Sequence, residues 1–168
     1  MKRIHIHIAV NEFSESINFY STIFGASPSA EREDYAKWDL SDPAVNFAIS
    51  KRGHAPGINH LGIQVDSLGE LEEIAQRLEE AEITSSKQDG ASCCYAHSNK
   101  HWVLDPQQIA WESFHSKGEI PVFGESIKTG LEGEASACCI PLNLGQNSNE
   151  NNATCCIANI GDIAECCS

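Results

Sequence analysis

Two histidines and one glutamate, far apart in the chain, are the side chains best suited to bind a catalytic metal ion. His5 lies in the segment RIHIHIAV, residues 3–10, and His60 opens the segment HLGIQV, residues 60–65. Glu112 lies in IAWESF, residues 109–114. Two neutral imidazoles and one carboxylate leave several coordination positions open, and this donor set suits non-haem Fe(II) and oxygen chemistry. The residue types therefore predict a metal site at His5, His60 and Glu112.

An internal repeat would bring these side chains together. Residues 5–13 align with residues 60–68, which matches His5 with His60 and Val10 with Val65 over an offset of 55 residues. If the two copies fold alike and pack side by side, pseudo-symmetry places both imidazoles on one inner face. The position in the first copy that matches Glu112 is about Ala48, which cannot bind a metal. We therefore expect three protein ligands rather than four.

His7 is a weaker candidate for the same site. It lies two residues from His5 and so on the same face of a strand, where it could compete for the metal or support a ligand. We expect the other four histidines in turns or on the surface: His54, His97, His101 and His115.

All eight cysteines occur as adjacent pairs, and the first pair, Cys93 and Cys94, precedes the Glu112 segment. Neighbouring residues are a poor structural disulfide, because a trans peptide fixes their Cα atoms about 3.8 Å apart. Two thiolates suit a soft atom, and trivalent arsenic with one organic group has two valences left for two sulfurs. Neighbouring side chains of a regular strand point to opposite faces, so joint binding requires a bend or bulge, which Gly90 and Ser92 favour. The alternative is a pair of small buried core residues.

The periodicity of the chain predicts an α+β fold. Alternating segments predict strands over 3–10 and 58–65, and helical spacing predicts a helix that ends at Gly25 and a second over 67–82. Further strands are predicted over 35–39, 46–50, 83–88, 92–97, 100–104 and 109–114. Two paired βαβββ modules, residues 1–52 and 57–116, would form one domain with a cupped, mixed, mostly antiparallel sheet.

Residues 117–168 are rich in Gly, Ser, Asn and Glu, which predicts a flexible tail. Of several possible roles for the cysteine pairs in the tail, capture of cadmium or arsenic is favoured. These cysteines are Cys138, Cys139, Cys155, Cys156, Cys166 and Cys167. The net charge of −13 disfavours nucleic acid and anionic membranes as partners. No N-terminal segment has the pattern of an export signal, so we expect a cytoplasmic protein.

The HLGIQV segment, the paired repeats and the Trp-Glu strand resemble the vicinal oxygen chelate superfamily of glyoxalases, extradiol dioxygenases and bleomycin-resistance proteins, over residues 1 to about 116. The Cys-Cys-Tyr segment, ahead of a Trp-Val-x-Asp-Pro turn, is similar to organoarsenical carbon-arsenic lyases and cadmium-induced proteins. That resemblance implies a trivalent organoarsenical held by Cys93 and Cys94, and oxygen activated at Fe(II) on His5, His60 and Glu112. Cleavage of the carbon-arsenic bond would release arsenite. Members of the family often carry Gln at the position of His5.

Two other functions stay open. The first is a cadmium- or arsenite-binding protein without catalysis, which the eight paired thiols favour. The second is a glyoxalase-like metalloenzyme, which Ala48 disfavours because it removes the fourth ligand. The sequence also leaves open a homodimer, the native metal and the organic group on arsenic.

Overall fold

The computed structural model of the 168-residue chain describes the backbone of residues 2–93 and 96–119 and the side chains of residues 2–90 and 97–118. The first module comprises β1 (Arg3–Ala9), α1 (Phe13–Phe24), β2 (Ala30–Glu31), β3 (Tyr35–Ser41) and β4 (Ala44–Ser50). The second comprises β5 (Gly57–Val65), α2 (Leu68–Glu80), β6 (Ser86–Cys93), β7 (Ala96–Leu104) and β8 (Ala110–Glu119). The predicted pair of βαβββ modules is confirmed.

The two modules join edge to edge in one eight-stranded sheet with the order β2-β3-β4-β1-β5-β8-β7-β6. β1 pairs with β5 in antiparallel fashion at the centre, and each of these strands pairs in parallel with the last strand of its own module, β4 or β8. The remaining pairs of described strands are antiparallel. The first strands of the two repeats are therefore direct neighbours.

Alternation along the central strands separates an outer face that the helices cover from an inner face. Ile6 and Ile8 of β1 pack against the α1 core, and Ile63 and Val65 of β5 pack in the α2 core. The residues that alternate with them, including His5 and His7 of β1, therefore point to the opposite, inner face. None of the helices in the described part of the chain is long and apolar enough to cross a membrane.

Both helices begin and end for local reasons. α1 ends as predicted at Gly25, which adopts a left-handed conformation with φ 63° that suits glycine. α2 begins after Ser67, whose hydroxyl accepts a hydrogen bond from the Glu70 amide. Leu71 and Ile74 then bury the face that α2 turns toward the sheet.

The strand prediction was wrong in two places. β2 has two residues, too few for a sequence period, and it was not predicted. The strands predicted over 83–88, 92–97 and 100–104 correspond to two strands, β6 and β7, whose pairing shifts register between Gln88 and Ala91. Gly90 there has φ 64°, and the irregularity interrupts the alternation that a regular strand would show. The predicted tail was to begin at residue 117, but residues 117–119 belong to β8. The rest of the predicted tail, from residue 120 onward, lies outside the described residues.

Candidate metal centre

Three side chains from three strands converge on the inner face, and they are the three that the sequence predicts as ligands. Nε2 of His5 in β1 lies 3.1 Å from Nε2 of His60 in β5. Oε1 of Glu112 in β8 lies 3.4 Å from each of these nitrogens. Ligands about 2.1 Å from one ion are about 3.0 Å apart at right angles and about 3.4 Å apart at tetrahedral angles, so the triangle has the size of one face of either kind of site. All three residues are at most 5% exposed.

Strand register explains the convergence. His5 lies opposite Gly62 across the antiparallel pair β1 and β5, and Gly62 lies beside Glu112 in the parallel pair β5 and β8. A Cβ atom at Gly62 would collide with the Glu112 carbonyl oxygen and lie 2.9 Å from Glu112 Cγ. Because Gly62 has no side chain, the Glu112 side chain can reach across β5 toward His5.

Hydrogen bonds fix both imidazoles with a lone pair toward the centre of the triangle. Nδ1 of His5 donates to the backbone carbonyl of Asn46 at 3.0 Å, and Nδ1 of His60 donates to the side-chain oxygen of Asn59 at 2.8 Å. Each neutral ring then carries its proton on Nδ1 and none on Nε2. Two nitrogen lone pairs and a carboxylate oxygen therefore face one another, an arrangement of acceptors without a donor. A cation between them would satisfy all three, so the residues fit a bound metal ion.

The Glu112 carboxylate lies between the Nε2 atoms of His5 and His60 on one side and a buried lysine on the other. Nζ of Lys100 lies 2.8 Å from Oε2 of Glu112, while Oε1 faces the imidazoles. Burial alone would raise the pKa of Glu112, but the Lys100 ammonium outweighs it and holds the pKa well below its usual value. The carboxylate is therefore ionised and ready for a cation.

Both histidines are neutral at ordinary pH. Burial lowers the pKa of His5, and it lowers the pKa of His60 to about 4, because loss of water penalises the imidazolium more than nearby Glu112 stabilises it. Metal binding to an imidazole requires the unprotonated ring. The site therefore needs no proton release from these rings near pH 7.

A pocket of about 40 Å³ opens beside the triangle, with room for about three water molecules. Its lining combines two lysines with hydroxyl, amide and aromatic groups: His5, His7, Tyr35, Lys37, Asn46, Ser98, Lys100, Glu112, Phe114 and Ser116. A larger substituent must extend toward the mouth of the pocket.

The predicted thiol site falls only partly within the described structure. The backbone of Cys93 ends β6 and pairs with Ala96, whereas the Cys93 side chain and all of Cys94 lie outside the described residues. Along β7, Ala96 lies four residues from Lys100, about 13 Å in an extended strand. The backbone of the hairpin therefore brings residue 93 toward the end of the sheet where Ser98 lines the pocket.

Residues that sequence reasoning passed over support the site. Lys100 lies on the inward side of β7 between buried Ser98 and Trp102. Its place at every second residue along a strand with these two residues is the sequence feature that could have indicated a buried lysine. Asn46, whose carbonyl holds His5, gave no comparable signal because a backbone acceptor is independent of residue type.

Comparison with known proteins identifies the family. The sequence model of the Glyoxalase/Bleomycin resistance protein/Dioxygenase superfamily matches residues 2–113. The chain belongs to this superfamily. Its eight-stranded sheet and two helices are those of a glyoxalase-superfamily fold, and the resemblance inferred from the repeats is confirmed.

Relatives within the glyoxalase superfamily carry informative names. The chain is 34% identical to a probable trivalent organoarsenical cleaving enzyme of Bacillus subtilis (strain 168), over 88% of this chain and 99% of that protein. It is 34% identical to the trivalent organoarsenical cleaving enzyme of Bacillus sp. (strain MD1), over 93% and 99%. It is 31% identical to the cadmium-induced protein CadI of Mycobacterium tuberculosis (strain ATCC 25618 / H37Rv), over 83% and 93%.

A solved structure shares the fold at low sequence identity. Homoprotocatechuate 2,3-dioxygenase from Brevibacterium fuscum superposes with a TM-score of 0.54 at 16% identity, over 70% of this chain and 37% of that one. At this identity the likeness shows the common glyoxalase-superfamily fold alone.

Proposed function

We propose that this protein is an Fe(II)- and oxygen-dependent enzyme that cleaves the carbon-arsenic bond of trivalent organoarsenicals and releases arsenite. The observation that carries the proposal is the buried triangle of acceptors formed by His5, His60 and Glu112, which a bound cation would satisfy. The names of the relatives at 34% identity supply the substrate class. The proposed enzyme belongs to the non-haem iron, dioxygenase type.

His5, His60 and Glu112 would hold the iron through Nε2, Nε2 and Oε1. Lys100 keeps Oε2 of Glu112 occupied, so the carboxylate offers one oxygen to the ion and leaves the remaining positions to substrate and oxygen. Iron in this position would supply the redox chemistry that activates oxygen. The surrounding protein holds the ligand rings in one tautomer and keeps bulk water away from the ion.

Cys93 and Cys94 would hold the substrate by its arsenic atom. A trivalent arsenical with one organic group has two further valences, and two thiolates fill both. The register of the β6–β7 hairpin supports this role, because it brings the backbone of residue 93 to the pocket end of the sheet. The organic group would then extend toward the metal. For a methyl group, oxygen would oxidise the carbon to formaldehyde and leave a hydroxyl group on arsenic where carbon was bound. Water would then displace the two thiols and release arsenite.

The proposal is tested by separating binding from turnover. Anaerobic, Fe(II)-loaded protein should bind a trivalent methyl arsenical without forming arsenite, and admission of oxygen should start arsenite release. Cys93→Ser and Cys94→Ser should each abolish tight binding of the arsenical while Fe(II) binding persists. Arsenite formation without oxygen, or by metal-free protein, would contradict the proposal.

A protein that binds cadmium or arsenite without catalysis is the second candidate, favoured by the paired thiols and by the relative named cadmium-induced. Equilibrium dialysis of Glu112→Ala separates the two functions. A binding protein should retain its capacity for cadmium or arsenite in this variant, whereas an enzyme should lose turnover. A glyoxalase-like activity is disfavoured because the strand register places Ala48, which has no ligand atom, at the position equivalent to Glu112.

A further inference from the structure

The two repeats place their potential metal-binding side chain on different strands at one equivalent pair of neighbouring residues on the inner face. In the second module the pair is Gly62 in β5 and Glu112 in β8, and in the first it is His7 in β1 and Ala48 in β4. Each pair combines one small residue with one residue that can bind a metal. Two residues could therefore supply a third ligand beside His5 and His60. One is Glu112 of β8, and the other is His7 of β1.

His7 lies close enough to both predicted ligands to join them. It lies directly opposite His60 in the β1–β5 register, and their ring centroids are 4.7 Å apart. One ligand nitrogen from each of His5, His7 and His60 lies within 4.8 Å of the other two. In a tetrahedral site with bonds of about 2.0–2.1 Å the nitrogens would be about 3.3 Å apart, so no pair of them has to approach by more than about 1.5 Å.

The environment of His7 suits a ligand. Its side chain is fully buried, and its Nε2 is within hydrogen-bond distance of the Ser50 hydroxyl, at 2.9 Å. Ligating imidazoles in proteins are usually oriented by a hydrogen bond at the ring. Neither the metal triangle of His5, His60 and Glu112 nor the packing of the helices uses this buried imidazole.

We infer that His5, His7 and His60 form a second metal position that takes Zn²⁺, and that it overlaps the position completed by Glu112. Both positions share His5 and His60, so one ion excludes the other. The exchange of the third ligand, Glu112 or His7, would decide which metal the protein holds.

Ligand chemistry supports this division. Three imidazoles with a fourth position open are a donor set that zinc accepts in enzymes. A carboxylate with two imidazoles is the set that suits Fe(II). The all-nitrogen set is therefore assigned to Zn²⁺ and the set completed by Glu112 to Fe(II).

The test measures binding of two metals to four full-length proteins: the unchanged chain, His7→Phe, His7→Asn and Glu112→Gln. Replacement of His7 should weaken Zn²⁺ binding at least about tenfold. Removal of a residue that only supports a ligand costs about 10–100-fold in metal affinity, so loss of a ligand should cost at least the lower value. Anaerobic Fe(II) binding should fall by less than about tenfold in the His7 variants, below the range found when a residue that supports a ligand is removed. Glu112→Gln should do the reverse. X-ray absorption at the zinc edge should count three imidazoles in the unchanged chain and two in His7→Phe.

The comparison of the two metals also controls for misfolding. Unchanged Fe(II) binding shows that the shared ligands remain in place. If the phenyl ring of His7→Phe does not fit, His7→Asn serves as the second variant, because asparagine retains a polar partner for Ser50. Equal loss of both metals in both His7 variants would overturn the inference, as would Zn²⁺ binding that depends on Glu112 and not on His7. No readout involves an arsenical or oxygen, so the outcome is independent of the proposed lyase activity.

Discussion

Glu112 takes part in two interactions at once, and each uses a different oxygen. Oε2 accepts a hydrogen bond from the Lys100 ammonium, and Oε1 lies against the bare nitrogens of His5 and His60. A buried carboxylate without a cation would be costly. Lys100 therefore stabilises the metal-free protein, and a bound ion would add a second positive charge on the other oxygen.

Replacement of Lys100 by Met should destabilise the metal-free protein more than the metal-bound protein. Loss of one partner of a buried ion pair costs about 3–5 kcal/mol, and a divalent ion on Oε1 should restore part of it. Chemical unfolding with and without Mn²⁺ measures both values. As a matched control, Lys87→Met removes a lysine whose ion pair with Asp89 is exposed and should cost less than about 1 kcal/mol. Equal losses with and without metal would contradict the account.

The low pKa of His60 predicts that the metal-free protein loses stability on acidification. The unfolded chain takes up a proton below pH 6.5, whereas the folded site resists protonation until about pH 4. Stability is therefore full above pH 6.5 and falls as pH drops toward 4, by about 1–2 kcal/mol between pH 6.5 and 5 from this residue. Thermal unfolding across this range should show the loss, and His60→Gln should reduce it. A flat profile in the unchanged chain would refute the assignment.

At the scale of elements, the site depends on the contact between β5 and β8. Gly62 allows this contact because its missing side chain leaves room for Glu112. The sequence contains Gly62 in the HLGIQV segment, but periodicity alone does not reveal which neighbouring strand occupies the space. The bulge near Gly90 and the two-residue β2 escaped prediction for a related reason, since neither has a regular alternation.

Gly62→Ala should weaken both the fold and the metal site. Overpacking costs about 1–3 kcal/mol, and displacement of Glu112 should lower Fe(II) affinity at least about tenfold. Gly69→Ala is the matched control, because Cβ there meets only the Ser67 hydroxyl at 3.9 Å and lies in helix α2, where alanine is favoured by up to about 1 kcal/mol. Calorimetric Fe(II) titrations of both variants decide the point. Equal affinity in the two variants would show that the close contact does not position Glu112.

At the scale of the whole molecule, the repeat is what made the site predictable. The equivalence of His5 and His60 predicted that both imidazoles lie on one inner face, and the register confirms that Ala48 matches Glu112. The roles of Lys100 and Asn46 could not be derived in this way, because they depend on side-chain contacts between strands that are distant in sequence. The three predicted ligands do converge, and their function as ligands stays a prediction.

The cysteine pairs beyond the second module should add binding capacity without taking part in catalysis. Substitution of all six by Ser should lower the amount of arsenite bound per chain while the rate of carbon-arsenic cleavage persists, because the proposed substrate thiols are Cys93 and Cys94. The substituted residues are Cys138, Cys139, Cys155, Cys156, Cys166 and Cys167. Dialysis against arsenite and a turnover assay on the same preparation check both statements. Unchanged capacity would remove the proposed role of these pairs in capture.

The most direct test is an anaerobic crystal structure of the protein loaded with Fe(II). The account predicts one iron ion bonded to Nε2 of His5, Nε2 of His60 and Oε1 of Glu112, with Lys100 still on the other carboxylate oxygen. Iron bound elsewhere, or with the Glu112 side chain turned away from the two imidazoles, would contradict it.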